Sequence, residues 1–135
     1  MIRVLVVEDS PTWAQNLIRS LESDGEIKVV GQATNGQQAV EMAAALRPDL
    51  ITMDVVMQGI DGLEATRRIM AASPTPIVIV TSSENEMAFN VVFAAMQAGA
   101  LDVIHKAEVD DDAWRQELLT KVKTLAKVRL REVEE

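Results

Sequence analysis

Five short, mostly apolar runs recur along the chain, at residues 2–7, 27–30, 50–53, 76–80 and 101–104. They are rich in Val and Ile and mostly do not alternate with polar residues, the pattern of strands buried on both faces of a parallel sheet. Between them the apolar residues fall at helical spacing. Ser10 and Pro11 supply an N-cap with Pro at the first helical position, and Trp13, Leu17 and Leu21 then share one stripe. Asn35 and Gly36 open a second helix with Ala39, Ala43 and Leu46 inward, and Pro48 stops it. A third helix is expected over 63–71, a fourth over 84–98 with Gly99 as its C-cap, and a fifth over 110–131. No repeat or low-complexity segment interrupts the alternation. Five strands alternating with five helices predict a single α/β domain, a doubly wound parallel sheet with right-handed crossovers. Five strands favour the flavodoxin-like order 2-1-3-4-5.

The fourth helix carries two apolar stripes, Phe89, Val92, Phe93 and Met96 on one and Met87, Val91, Ala94 and Ala98 on the other. A helix apolar nearly all round is normally buried nearly all round. On a crossover helix, part of that perimeter is expected either to face another protein or a second copy of the chain, or to be small alanines that need no partner.

Polar residues collect where the runs end: Glu8 and Asp9 after the first, Asp54 after the third, Thr81 to Ser83 after the fourth, His105 and Lys106 after the fifth. In an open α/β sheet, ligands bind beyond the carboxyl ends of the strands where the strand order reverses. Order 2-1-3-4-5 puts that crevice between strands one and three, so Glu8, Asp9 and Asp54 are expected to meet, with Thr81 and Lys106 closing the site. Like charges at ~4 Å and an effective dielectric near 20 cost about 4 kcal/mol per pair. The cluster therefore takes up a proton, pairs with a cation or binds a metal. An all-oxygen donor set selects a hard ion, Mg²⁺, with Mn²⁺ or Ca²⁺ as substitutes. Lys106 and the Thr81 hydroxyl then read as clamps for phosphoryl oxygens.

Composition narrows the alternatives. The 135 residues carry 13 basic against 21 acidic side chains, a formal charge of −8, which argues against a direct nucleic-acid binder. No cysteine and one histidine remove disulfides, thiolate chemistry and multi-histidine metal sites, and suit a reducing, cytoplasmic compartment. No apolar stretch approaches the ~20 residues of a membrane span, and the first strand runs straight into Glu8 and Asp9, unlike a signal peptide. His105 is expected to point away from the site, Trp13 to pack in the core, and Asp110 to Asp112 to start a helix rather than bind a second metal. The series Lys121, Lys123, Lys127, Arg129 and Arg131 reads as a solvated helix face, with an acidic partner's docking patch as the weaker alternative.

These residues in this order resemble the receiver domain of two-component response regulators: Glu8-Asp9, Asp54 in Met53-Asp54-Val55-Val56-Met57 with Asp61-Gly62 following, Val80-Thr81-Ser82, and Lys106. The resemblance covers residues 1–127, leaving 128–135 as a helical extension or the start of a linker to an output domain. The segments 47–54, 61–65 and 73–78 are most similar to the N-terminal receiver of chemotaxis protein-glutamate methylesterases. The resemblance implies that Asp54 accepts a phosphoryl group from a sensor histidine kinase or a small acyl phosphate. It implies that Asp9, Asp54 and the Val56 carbonyl hold Mg²⁺, with Glu8 acting through a water, and that Thr81 and Lys106 bind phosphoryl oxygens. It further implies that the chain catalyses its own phosphoryl transfer and slow hydrolysis, with an output that is a population shift at the face of the fourth helix, fifth strand and fifth helix, towards an output domain, a partner protein or a second copy.

The chain departs from the family pattern in places. Glu8 replaces the commoner first aspartate, Gln58 replaces Pro after Met57, and Val103 stands where a switching aromatic is frequent. Val56 offers no side-chain group to orient water, which predicts slow self-dephosphorylation. The family's usually cis Lys-Pro link is Lys106-Ala107 here, so a cis non-proline bond or a re-routed loop is expected. Other function classes fit less well. A regulatory fragment of a methylesterase whose catalytic domain lies outside this chain remains open, as does a phosphorylation-independent adaptor. No Gly-x-Ser-x-Gly elbow supports a hydrolase, no Gly-x-x-x-x-Gly-Lys a P-loop, and the aspartate a dehalogenase-type phosphatase needs is Val56. In a flavodoxin, Glu8 and Asp9 would repel the cofactor phosphate.

Overall fold

A computed structural model describes residues 1–55, 61–81, 86–106 and 111–128, with the side chains of 86–89, 91 and 92 left aside. Ten elements alternate: β1 (Ile2–Val7), α1 (Pro11–Glu22), β2 (Ile27–Ala33), α2 (Gly36–Leu46), β3 (Leu50–Met53), α3 (Gly62–Ala72), β4 (Ile77–Thr81), α4 (Glu86–Ala98), β5 (Asp102–His105) and α5 (Asp112–Leu125). The strands pair in parallel in the order β2-β1-β3-β4-β5. That is the flavodoxin-like doubly wound sheet the apolar runs predicted.

Alternate residues of the same strands feed two cores. Leu5, Val7, Ile51, Met53, Ile77 and Ile79 pack on the side of α2, α3 and α4. Val4, Val6, Leu50, Val78 and Ile104 pack on the other against Leu17 and Leu21 of α1 and Trp114, Leu118 and Val122 of α5. The starts of α1, α2, α3 and α5 are each capped by a short polar side chain. Ser10 accepts from the Trp13 amide at 3.4 Å, Asn35 from Gln38 at 2.9 Å, Asp61 from Glu64 at 2.9 Å and Asp111 from Trp114 at 3.1 Å.

Two elements, β2 and α5, depart from the sequence expectation by several residues. β2 runs three residues past Val30, which is the extra residue at a register shift: Val4 pairs with Val29 and Leu5 with Gly31. It is an edge strand, so exposed Gln32 is tolerated there. α5 begins after Asp111, which is its cap, and ends at Leu125, where the apolar stripe gives out. The acidic triplet is thus a helix start, as its composition suggested, with Asp110 outside the described residues. Lys121 and Lys123 are ion-paired to Asp102 and Glu117, and to Asp24 and Glu26, which leaves them little charge to offer an acidic partner.

Candidate functional site

Three backbone hydrogen bonds continue the ladder beyond the strand ends and fix the site. The Glu8 amide donates to Ala33 at 3.0 Å, the Asp54 amide to Val7 at 3.0 Å, and the Lys106 amide to Thr81 at 2.7 Å. The side chains that follow β1, β3 and β5 are thereby held in one crevice, with buried Thr81 closing β4 between the last two. Gly62 holds the Asp54 turn from above. A Cβ at Gly62 would stand 2.0 Å from the Asp54 carbonyl oxygen, so only glycine lets α3 start this close to the turn.

Glu8 and Asp54 are buried, at 2% and 6% exposure, and Asp9 is exposed. Their carboxylate oxygens lie within 4.8 Å of one another. Lys106 Nζ, also buried, sits 2.6 Å from Glu8 Oε1 and 3.9 Å from Asp54 Oδ2. The second Glu8 oxygen accepts the Ser10 amide at 3.1 Å. Burial pushes the Glu8 carboxyl up, but the Lys106 ammonium, the Ser10 amide and a hydrogen bond with Asp54 outweigh it and hold the group below its ordinary value. Three carboxylates against one ammonium leave the cluster two negative charges in excess when all are ionised. An all-oxygen set of this size, part buried and open at Asp9, fits a hard divalent cation that keeps several waters. The geometry can therefore hold such an ion beside a nucleophilic carboxylate, with an ammonium ready for a second anion.

Glu8, Asp54 and Lys106 come together as the strand ends predicted, with Asp9 at the rim. Val56, Gln58 and the Lys106-Ala107 link lie outside the described residues. His105 is exposed, as expected of a strand residue turned from the site. Sequence reasoning missed the aromatic contacts around Lys106. Trp13, expected in the core, is only half-buried and turns its ring toward Lys106 Nζ at 5.1 Å. The Trp114 indole donates to the His105 carbonyl at 2.6 Å.

Residues 4–124 match the family model of the response regulator receiver domain. The chain belongs to that family. The receiver is 50% identical over 137 residues to protein-glutamate methylesterase/protein-glutamine glutaminase 3 of Anaeromyxobacter dehalogenans, covering 96% of this chain and 39% of the relative. A second methylesterase/glutaminase, from Syntrophus aciditrophicus, is 44% identical over 133 residues, covering 96% of this chain and 38% of its own length. The receiver thus spans about two-fifths of the length of these relatives. Among solved structures, the response regulator domain of Thermotoga maritima CheB superposes with a TM-score of 0.83 at 38% identity, covering 96% of this receiver and 99% of that domain. The signal receiver domain of the response regulator NarL from Mycobacterium tuberculosis gives 0.82 at 29% identity, covering 95% and 98%. The receiver is therefore of the chemotaxis type, similar to the CheB regulatory domain. Receiver domains bind Mg²⁺ at an acidic cluster and take phosphate from histidine kinases, and this one carries a Glu8-Asp9-Asp54 group of that kind. Among the described residues, no helix is long and apolar enough to cross a membrane.

Proposed function

We propose that this receiver is a phosphorylation-activated switch in a cytoplasmic chemotaxis-type phosphorelay, with Asp54 as the phosphoacceptor. The observation that carries the reading is the buried Glu8-Asp54-Lys106 group at the ends of β1, β3 and β5, 2.6 and 3.9 Å from ammonium to carboxylates. In the transfer, an Asp54 oxygen forms a bond to phosphorus as the P–N bond of the kinase's phosphohistidine breaks, and the electron pair stays on the departing imidazole nitrogen. Asp9, Asp54 and the Val56 carbonyl would hold Mg²⁺, with Glu8 joined through water. The ion supplies charge neutralisation for the phosphoryl oxygens. Lys106 leaves Glu8 for one phosphoryl oxygen, and Thr81 donates its hydroxyl to another. Positioning and charge do the rest, which is what a loose transition state asks of a protein. Val56 brings no group to orient water, so the phosphoryl group is long-lived.

The output face we assign to α4, β5 and α5. Phe93 and Met96 on α4 are 59% and 46% exposed, a surface open to an output domain or a second copy. The likeness to methylesterases of more than twice this length supports a catalytic domain beyond this chain as the regulated partner. Residues 128–135 would then lead toward it.

Incubation with acetyl phosphate and Mg²⁺, followed by intact-mass spectrometry, tests the reading. One added phosphoryl group is expected, absent in Asp54→Asn and after chelation. A folded receiver that takes no phosphoryl group from acetyl phosphate or a chemotaxis kinase would instead be a phosphorylation-independent adaptor.

A further inference from the structure

The chain's two tryptophans bracket Lys106. Trp13 lies in the first turn of α1, its amide bound by Ser10 and its neighbour Pro11 opening the helix. Its ring centroid is 5.1 Å from Lys106 Nζ, inside the range in which a ring face attracts an ammonium. Trp114 lies in the first turn of α5, and its indole N–H holds the carbonyl of His105, the residue before the lysine, at 2.6 Å. The two rings meet edge to face, centroids 6.2 Å apart at 68°. The backbone next to the lysine is thus tied to α5, and its ammonium lies against α1.

Lys106 has two carboxylates to serve, and stands closer to Glu8 than to Asp54 by the difference between 2.6 and 3.9 Å. A lysine side chain is a point charge on four rotatable bonds, so nothing in its own geometry directs it to the second oxygen. A ring face attracts the ammonium without claiming it for one lone pair. It can hold the group while the pair with Glu8 opens and a contact at Asp54 closes. We propose that Trp13, braced by Trp114, is a positioning residue that keeps the Lys106 ammonium within reach of the oxygens at Asp54 as it leaves Glu8. The inference deepens the phosphoacceptor reading and rests on it. A tryptophan that only filled space could be replaced by any apolar side chain that restores the packing, whereas a positioning ring needs an aromatic face.

The test compares Trp13→Phe and Trp13→Leu in the full chain. The first readout is the initial rate of phosphorylation by acetyl phosphate with Mg²⁺. Trp13→Leu is expected to lose about tenfold, the order a partly desolvated cation–π contact supplies, and Trp13→Phe to keep most of the rate. The second readout is the proton NMR shift of the Lys106 ε-methylene, which the ring current moves upfield. The upfield shift is expected in the wild type, reduced in Trp13→Phe and gone in Trp13→Leu. A folded Trp13→Leu with the wild-type rate overturns the proposal, as do equal losses in Leu and Phe, or a wild-type methylene without the upfield shift. If Trp13→Leu does not fold, Trp114→Phe keeps Trp13 but removes the indole bond to His105. A several-fold slower rate supports the bracket, and an unchanged rate overturns it. Should the wild type itself take no phosphoryl group, the phosphoacceptor reading fails, while the methylene shift still reports separately on the lysine–tryptophan contact.

Discussion

Thr52 sits in the middle of β3, fully buried, paired across to Val6 and Val78. Its hydroxyl has no hydrogen-bond partner among the described residues. A buried donor left unmade costs about 1–3 kcal/mol, and valine has nearly the same shape without the polar atom. Thr52→Val should therefore raise stability by about 1 kcal/mol, read as a higher urea midpoint at unchanged slope. A lower midpoint would mean that the hydroxyl is satisfied after all. Two residues on, the balance reverses. The side chains of Asp54, Glu8 and Lys106 are also largely buried, but each has a charged neighbour. The extra methylene of Glu8, where the family commonly has aspartate, is what carries its carboxylate to 2.6 Å from the lysine while its other oxygen takes the Ser10 amide. Chain length at that one position decides which acid the lysine rests on.

Between elements, charge pairs join segments that the sheet does not. Lys123 of α5 reaches Asp24 at 3.0 Å and Glu26 at 2.9 Å in the turn before β2, a sequence separation of 99 residues to Asp24. The bonds from the Glu26 amide and from Lys123 hold Asp24 below its ordinary value, and the two carboxylates hold Lys123 above its own. A depressed carboxyl contributes stability above its unfolded value and loses it as pH falls through the folded one. A raised lysine contributes below its unfolded value and loses it as pH rises through the folded one. The stability gap between wild type and Lys123→Met should thus be small and flat from about pH 5 to pH 10, shrinking on both sides. A gap that grows in acid would refute the pairing. No such link was legible in the sequence, since nothing local marks Lys123 among the neighbouring cations. What is local was legible: the five apolar runs, the caps at Ser10 and Asn35, and the strand-end placement of Glu8, Asp54 and Lys106. β2 was read short because Gly31 and Gln32 break the apolar run, which an edge strand with a register shift permits. The Trp114 bond to His105 was hidden for a different reason. It closes across the 106–111 connection, and its partner is a backbone carbonyl that no side-chain pattern reveals.

Over the whole molecule, the sheet gathers three carboxylates on a chain that already carries a formal charge of −8, and one lysine offsets only part of the local excess. Unfolding scatters these carboxylates, so an ion that needs all of them binds the folded state alone. Mass action then makes the ion a stabiliser, by about 2.7 kcal/mol at a concentration one hundred times its dissociation constant. For a domain of this size that corresponds to a Tm rise of about 10 °C. Saturating Mg²⁺ should produce a rise of this order, with Mn²⁺ and Ca²⁺ acting in the same direction, while Na⁺ at equal ionic strength should not. Asp9→Asn should lose most of the rise, because Asp9 is the rim carboxylate that opens the cluster to solvent. Glu41→Gln, which removes an exposed acid on α2 that accepts a hydrogen bond from Gln37, should keep it. Screening of the overall negative charge would act alike on both variants and would follow ionic strength rather than valence. Equal rises in Asp9→Asn and wild type would therefore place the cation elsewhere. A rise that needs Glu8, Asp9 and Asp54 intact would place the stabilising ion at this cluster.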